Sequence, residues 1–236
     1  MPPALCLVGE PSSLKVARAH KGKFANRLVI TGKGGHSALP HRAATAVNAA
    51  AKIVVGLEAI GASLTTITDD AFEPPYTTVH VGALHGGTAL NLVPDRAVLD
   101  YEVRTIPGAD AVAIKARIDA LVAEVRASLK ARAPEADIVV EPISAYPGLD
   151  TPADLPAAAK LARLAGSNEA PITLAYGTEA GLYDEAGIAT LVCGPGDIAR
   201  AHKADEWIGL DELARAEHLM HRLALALGDT PSDPLF

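Results

Sequence analysis

The sequence predicts an α/β domain interrupted by a complete β-α-β-β-α-β insertion, and three observations predict it. Short apolar runs ending in Gly-rich polar turns stand near both ends of the chain: Leu5-Cys6-Leu7-Val8 before Gly9-Glu10-Pro11, and Ala189 to Cys193 before Gly194-Pro195-Gly196. Between them, over about 115 residues, the apolar period switches in order between 2 and a helical spacing. Finally, 236 residues that are 49% hydrophobic suffice to bury a core, which excludes disordered and disulfide-scaffold classes.

The insertion opens with a strand from Phe24 to Thr31 and a Gly-rich turn from Gly32 to Pro40 that carries Gly34-Gly35-His36-Ser37. From Ala43 to Ile60, Val47, Ala50, Val54 and Leu57 recur at helical spacing. Thr77 to Ala83 is a β-branched strand ended by His85-Gly86-Gly87. From Ala97 to Arg104, Leu99, Tyr101 and Val103 alternate with Asp100, Glu102 and Arg104 until Pro107-Gly108 stops the strand. Ile114, Ile118, Leu121, Val122, Val125 and Leu129 then form one helical stripe, and Ile138 to Val140 closes the unit. This order is the split-βαβ, ferredoxin-like arrangement, two helices on one face of a four-stranded antiparallel sheet, and it spans residues 22–145.

The flanks, 1–21 and 146–236, read as two segments of one α/β domain. Thr151-Pro152-Ala153-Asp154 has the composition of a helix start, with Thr as N-cap and Pro at the first helical position. Ile172 to Tyr176 is a strand, Thr178 to Ala186 a short helix closed by Gly187, and Ala189 to Cys193 a buried strand like Leu5 to Val8. A final helix after Leu210 carries Leu213, Ala216, Met220, Leu223 and Leu227 on one stripe.

Charge narrows the function classes. With 21 Lys+Arg against 28 Asp+Glu and no basic block, the chain has no electrostatic footprint for nucleic acid or an anionic membrane. No uninterrupted apolar run reaches the roughly 18 residues of a membrane span, and the amino terminus lacks a signal-peptide layout. Cys6 and Cys193 lie in apolar runs and read as buried, reduced thiols, which fits a cytoplasmic protein.

In open α/β sheets, ligands bind at the carboxyl ends of the strands. Three such ends carry polar residues: Glu10 after the first strand, Thr178-Glu179 after Gly177, and the run from Gly194 through Asp197 to His202, Asp205 and Glu206. A carboxylate and an imidazole at neighbouring strand ends are ligand types for zinc. The plain alternative is that they are solvated loop side chains.

Gly9-Glu10-Pro11-Ser12, Arg18-Ala19-His20-Lys21-Gly22, Gly34 to Pro40, His85 to Pro94, Val103-Arg104 to Pro107-Gly108, Gly177-Thr178-Glu179-Ala180, and Gly194-Pro195-Gly196 to Glu206 follow one another across nearly the whole chain. In that order they resemble the second half of the M20 family of metallopeptidases and deacylases, and within it the acetylornithine deacetylase branch. The resemblance implies a partial zinc-peptidase-like α/β catalytic domain with an inserted dimerisation or lid domain, a homodimer through the insertion, and two zinc or cobalt ions. Glu10 would be a ligand to one ion and His202 to the other. His36 would reach the partner subunit's site and stabilise the tetrahedral oxyanion; the alternative is a turn His held by neighbouring glycines. Lys21, Asn91, Arg104, Thr178 and Glu179 would face the substrate. Here too alternatives stand: an exposed Lys21 at a domain junction, a cross-strand ion pair of Arg104 with the Asp100/Glu102 face, an N-cap role for Thr178. His41, His80, His218 and His221 belong to no motif and read as ordinary histidines.

The family's remaining ligands and its general base precede the Gly-Glu-Pro motif, and none of Met1 to Gly9 is His, Asp or Glu. The expectation is therefore a carboxy-terminal portion of such an enzyme, by truncation, a misplaced start or a split gene, which binds metal weakly alone and in the split-gene case is completed by a separately encoded amino-terminal half. The implied reaction is hydrolysis of the amide of a small N-acyl amino acid, N-acetyl-ornithine, in arginine biosynthesis. Other substrates of the family, a succinylated diaminopimelate, a dipeptide or another N-acyl amino acid, stand as alternatives, as does a non-catalytic dimerisation or binding fragment.

Overall fold

In the computed structural model residues 3–229 are described; Met1, Pro2 and residues 230–236, the outer ends of the two flanking segments, lie outside the described residues. The chain divides into two compact units, one of Met1–Gly22, Asp70–Glu73 and Tyr146–Phe236, the other of Lys23–Asp69 and Pro74–Ala145. In chain order the elements are β1 (Cys6–Pro11), β2 (Ala17–His20), β3 (Gly22–Thr31), β4 (Gly35–His36), α1 (Ala46–Leu64), β5 (Thr78–Gly86), β6 (Leu92–Val93), β7 (Arg96–Thr105), α2 (Ala111–Arg132), β8 (Asp137–Tyr146), β9 (Leu149–Asp150), α3 (Pro156–Leu164), β10 (Ile172–Leu174), α4 (Ala180–Glu185), β11 (Thr190–Gly194) and α5 (Leu210–Asp229).

The second unit is a four-stranded sheet in the order β5-β7-β3-β8, with α1 and α2 packed into its core. Strict alternation turns Ala97, Leu99, Tyr101, Val103 and Thr105 of β7 inward. Thr45 and Asp110 cap α1 and α2 by accepting from the amides of Asn48 and Ala113. Ile114, Ile118, Val122, Val125 and Leu129 are buried along α2. By length and composition α1 is apolar enough to cross a bilayer, although Lys52 and Glu58 interrupt its apolar run. It buries Ile53, Leu57, Ile60 and Leu64 in the core of this unit. Strand β8 runs well past the expected Val140. It lies at the sheet edge with most side chains exposed, so no alternation marks it, and an edge tolerates Pro142.

The first unit holds a mixed sheet in the order β1-β11-β2-β10, with β9 added on β2. Three expectations are corrected here. Leu5 to Val8 is not a buried strand: β1 forms an edge and only Val8 is fully buried, leaving Cys6 half-buried. Thr151 does not cap a helix. The helix starts at Pro156, and the buried Thr151 hydroxyl donates to the Thr190 carbonyl at 2.6 Å, tying the chain after β9 to β11. The stripe on α5 is rotated: Leu219 is 2% exposed and packs with Leu161 of α3, whereas Met220 is 56% exposed.

Candidate active site

Strands β1 and β11 run parallel, and their ends are bound together closely. The register shifts between Val8 and Pro11, so Glu10 sits on a bulge, where an edge strand can re-aim a side chain. The turn that follows folds onto the Gly194-Gly196 segment. Amides of Ser12 and Leu14 donate to the Gly194 carbonyl at 3.2 and 2.9 Å, Ser13 donates to Gly196 at 2.8 Å, and the Gly194 amide donates to Ser12 Oγ at 3.1 Å. These bonds hold Ser13 and Leu14 in the left-handed region at φ 55° and 61°. Gly194 must be glycine, because a Cβ would meet the carbonyl oxygens of Gly9 and Glu10.

Tyr176 donates its hydroxyl to the Pro11 carbonyl, and burial, with the Glu10 carboxylate added, pushes the phenol up to about 12. His202 is exposed and also left-handed, at φ 58°; its amide donates to Glu206 Oε2 at 2.9 Å. Pro11 and Ala201, the chain neighbours of Glu10 and His202, line one open cavity of about 370 Å³ with Asp197, Arg200 and Trp207. Arg200 is fixed in that wall by two 2.6 Å bonds to Glu212 and by stacking 4.4 Å from the Trp207 ring centre.

Among the described residues, no group of three or more His, Cys, Asp or Glu side chains could hold a metal ion. A catalytic zinc takes three protein ligands and an open position. Glu10 and His202, one donor each to the implied pair of ions, do not by themselves fit a complete zinc site.

Lys21, Thr178 and Glu179 gather at the end of β2. Lys21 is only 2% exposed, which removes the exposed-lysine alternative, and its amide donates to Leu174 at 3.3 Å. Gly177 passes so close to the Tyr146 ring that a Cβ could not be accommodated. Thr178, also buried, accepts from the Ala180 amide at 3.0 Å and so satisfies one amide of the first turn of α4, while Glu179 is the exposed N-cap residue.

Beneath them lies His20, wholly buried, with Nδ1 2.9 Å from the Lys21 carbonyl and Nε2 3.2 Å from Thr178 Oγ1. Burial holds its imidazole below the ordinary 6.5, against the upward pull of the Lys21 carbonyl, Asp184 and Glu179. Sequence reasoning passed over His20 although it stands inside the Arg18 to Gly22 motif. Its one signal is position, an inward site of a strand whose neighbours Ala17 and Ala19 are small and buried.

In the second unit, β4 pairs with β6 as Gly35↔Val93 and His36↔Leu92, and the Ser37 amide donates to the Asn91 carbonyl at 3.1 Å. His36 and Asn91 are thereby brought together, both exposed, on one small ribbon. The Ala38 amide donates to His36 Nδ1 at 3.1 Å, so the neutral ring carries its proton on Nε2. Arg104 is elsewhere. It pairs with Thr78 at one end of the β5-β7 ladder, whereas β7 leaves the ribbon at Arg96, roughly 26 Å away along the strand.

The alternative for Arg104 holds in modified form. Its pair with Glu102, at 2.9 Å, runs along one strand, while the inter-strand pairs are Arg27 with Asp100 and Lys23 with Glu102, at 2.7 and 3.1 Å. Burial pushes the Glu102 carboxyl up, but Arg104 and Lys23 outweigh it and hold the group below its usual range.

Residues 18–129 match the peptidase dimerisation domain of M20 type. The chain is 35% identical over 217 residues to acetylornithine deacetylase of Myxococcus xanthus, covering 92% of this chain and 56% of the relative. It is 34% identical over 225 residues to the acetylornithine deacetylase of Proteus mirabilis strain HI4320, covering 94% of this chain and again 56% of the relative. The resemblance carried by the motifs is thus shown, and the chain spans about half the length of the curated relatives it matches. Its fold is shared with aminopeptidase PepT from Bacillus cereus ATCC 10987, at a TM-score of 0.71 and 19% identity over 94% of this chain and 57% of that one. A tripeptidase from Staphylococcus aureus gives the same TM-score of 0.71 at 20% identity, over 94% of this chain and 57% of its own.

Proposed function

We propose that this chain is the carboxy-terminal portion of a metal-dependent amidohydrolase of the acetylornithine deacetylase type, acting on N-acetyl-ornithine to release acetate and ornithine in the cytoplasm. The observation that carries the reading is that Pro11 and Ala201, the chain neighbours of Glu10 and His202, line one cavity, in a chain 35% identical to such an enzyme. Glu10 and His202 act as single ligands to two zinc or cobalt ions, and a further polypeptide segment supplies the remaining ligands and the general base. The second unit is read as ferredoxin-like, supported by its strand order β5-β7-β3-β8 and two helices, and as the surface of a homodimer. Across that dimer the exposed Nε2–H of His36 donates to the developing oxyanion with Asn91 beside it. Arg104, about 26 Å along β7 from that ribbon, contacts a substrate other than the one its own His36 serves. Lys21, Thr178 and Glu179, gathered at the end of β2, are read as the substrate-facing groups of the first unit.

The test is release of acetate from N-acetyl-ornithine with zinc or cobalt, by this chain alone and with the amino-terminal part of the Myxococcus xanthus relative that it does not match. Turnover only in the mixture supports the reading. Turnover by the chain alone refutes the incomplete site. A second reading, a non-catalytic dimerisation or binding module, is favoured by the finding that among the described residues no three His, Cys, Asp or Glu side chains group to hold a metal ion; it gains if the mixture binds together yet releases no acetate.

A further inference from the structure

A carbonyl oxygen can only accept a hydrogen bond, so the 2.9 Å contact of His20 Nδ1 with the Lys21 carbonyl fixes the proton on Nδ1. In the neutral ring Nε2 is then an acceptor. The Thr178 hydroxyl, 3.2 Å away, donates to it while accepting from the Ala180 amide at 3.0 Å. The result is one directed chain: Ala180 N–H to Thr178 Oγ1, Thr178 O–H to His20 Nε2, His20 Nδ1–H to the Lys21 carbonyl. Each donor has an acceptor, as buried polar groups require, and His20 and Thr178 are 0% and 5% exposed. Protonating Nε2 would turn acceptor into donor and leave the Thr178 hydroxyl proton without its partner.

The bonds span elements distant in sequence, since β2 precedes the second unit and α4 follows it. The His20 contact joins the β2 strand to the Gly177-Thr178-Glu179 turn by a side chain. The Thr178 hydroxyl is thus already committed, and what the turn presents to solvent is the Glu179 carboxylate.

We propose that His20, neutral and protonated on Nδ1, is a positioning residue that clamps Thr178 to the end of β2 and so fixes the exposed Glu179 carboxylate, the substrate-facing group of this turn. The clamp stands on this geometry; its consequence for substrate rests on the function proposed above.

Two measurements separate these layers. Nitrogen-15 histidine NMR of the whole chain reads the tautomer: His20 is expected to show a protonated Nδ1 and a bare Nε2, unchanged from pH 8 to 5.5. An Nε2–H tautomer, or a protonated Nε2 within that range, overturns the clamp. The second measurement compares His20→Gln, whose carbonyl keeps an acceptor for Thr178, with His20→Asn, whose shorter amide reaches only the Lys21 carbonyl. In the complemented enzyme His20→Asn should raise KM for N-acetyl-ornithine about five- to tenfold more than His20→Gln, the worth of one hydrogen bond, with kcat less affected. Equal KM values overturn the positioning role. If the unsubstituted mixture releases no acetate, the function proposed above fails separately, and protection of the Thr178 hydroxyl proton decides for the clamp if His20→Gln retains it and His20→Asn loses it, and against it if the two behave alike.

Discussion

Gly194 lies against the carbonyl of Gly9 so closely that no side chain can stand between them, and the whole Glu10 turn depends on that approach. Gly194→Ala must push β1 away from β11 and lengthen the bonds from Ser12 and Leu14. Overpacking of this kind costs about 1–3 kcal/mol. Urea unfolding of the first unit should move to lower midpoint, and an unchanged midpoint would mean that the two strands do not approach in this way.

The His20 clamp makes stability depend on pH with a definite sign. The folded imidazole is held below the ordinary 6.5 by burial; the upward pulls of the Lys21 carbonyl and of the Asp184 and Glu179 carboxylates do not reverse that. Below 6.5 the unfolded chain takes up a proton that the folded chain refuses. Stability from His20 is therefore complete above that value and lost as pH falls through the lowered folded one. Melting temperature should decline from pH 7 to 5, and less steeply in His20→Gln.

Much of the fold was legible because burial leaves a period in the sequence. The stripes of α2 and β7 are one-sided, and both were read at the right residues. Where one-sidedness fails, so does the reading. β8 is exposed on an edge, and β4 and β6 are two residues each, too short for any period. Thr151-Pro152 has every local mark of a helix start, yet a buried acceptor at Thr190 claims the hydroxyl. The candidate site residues stand out as motifs, but His20 does not, since its contact comes from Thr178, 158 residues away.

His36 is exposed and held mainly by backbone pairing of its own ribbon, so its side chain can be removed with little structural loss. In the complemented enzyme His36→Ala should lower kcat by about 10²–10³, as loss of one oxyanion donor does elsewhere. Thermal unfolding of the variant should match the unsubstituted chain. An unchanged kcat would remove His36 from the reaction.

Acid should loosen the second unit at Asp137. Arg126 grips this carboxylate at 2.5 and 3.0 Å, with Lys130 at 3.4 Å, and the Arg126 hydrogen bond above all holds its pKa down to about 2. A carboxylate so depressed contributes stability that is complete above its ordinary 3.8 and lost as pH falls through about 2. Asp137→Asn should unfold more readily than the unsubstituted chain at pH 5, and the gap should close by pH 2. A gap that persists at pH 2 would trace the effect to the bonds of the side chain and not to its charge.

Thr151 offers a test of whether local pattern or tertiary contact governs. A solvent-facing N-cap would be served almost equally by Ser or Asn, and its loss costs about 1 kcal/mol through the helix alone. The observed hydroxyl is 1% exposed and bonded to the Thr190 carbonyl at 2.6 Å. Thr151→Val keeps the volume and removes the donor, leaving a buried carbonyl short of a partner at a cost of about 1–3 kcal/mol. Thr151→Ser keeps the donor and gives up one methyl, about 0.8 kcal/mol. Thr151→Asn, a good cap on the exposed reading, is too large for this buried place and should be the worst of the three. Chemical denaturation that ranks Ser above Val above Asn supports the tertiary bond, and Asn equal to the unsubstituted chain would restore the cap.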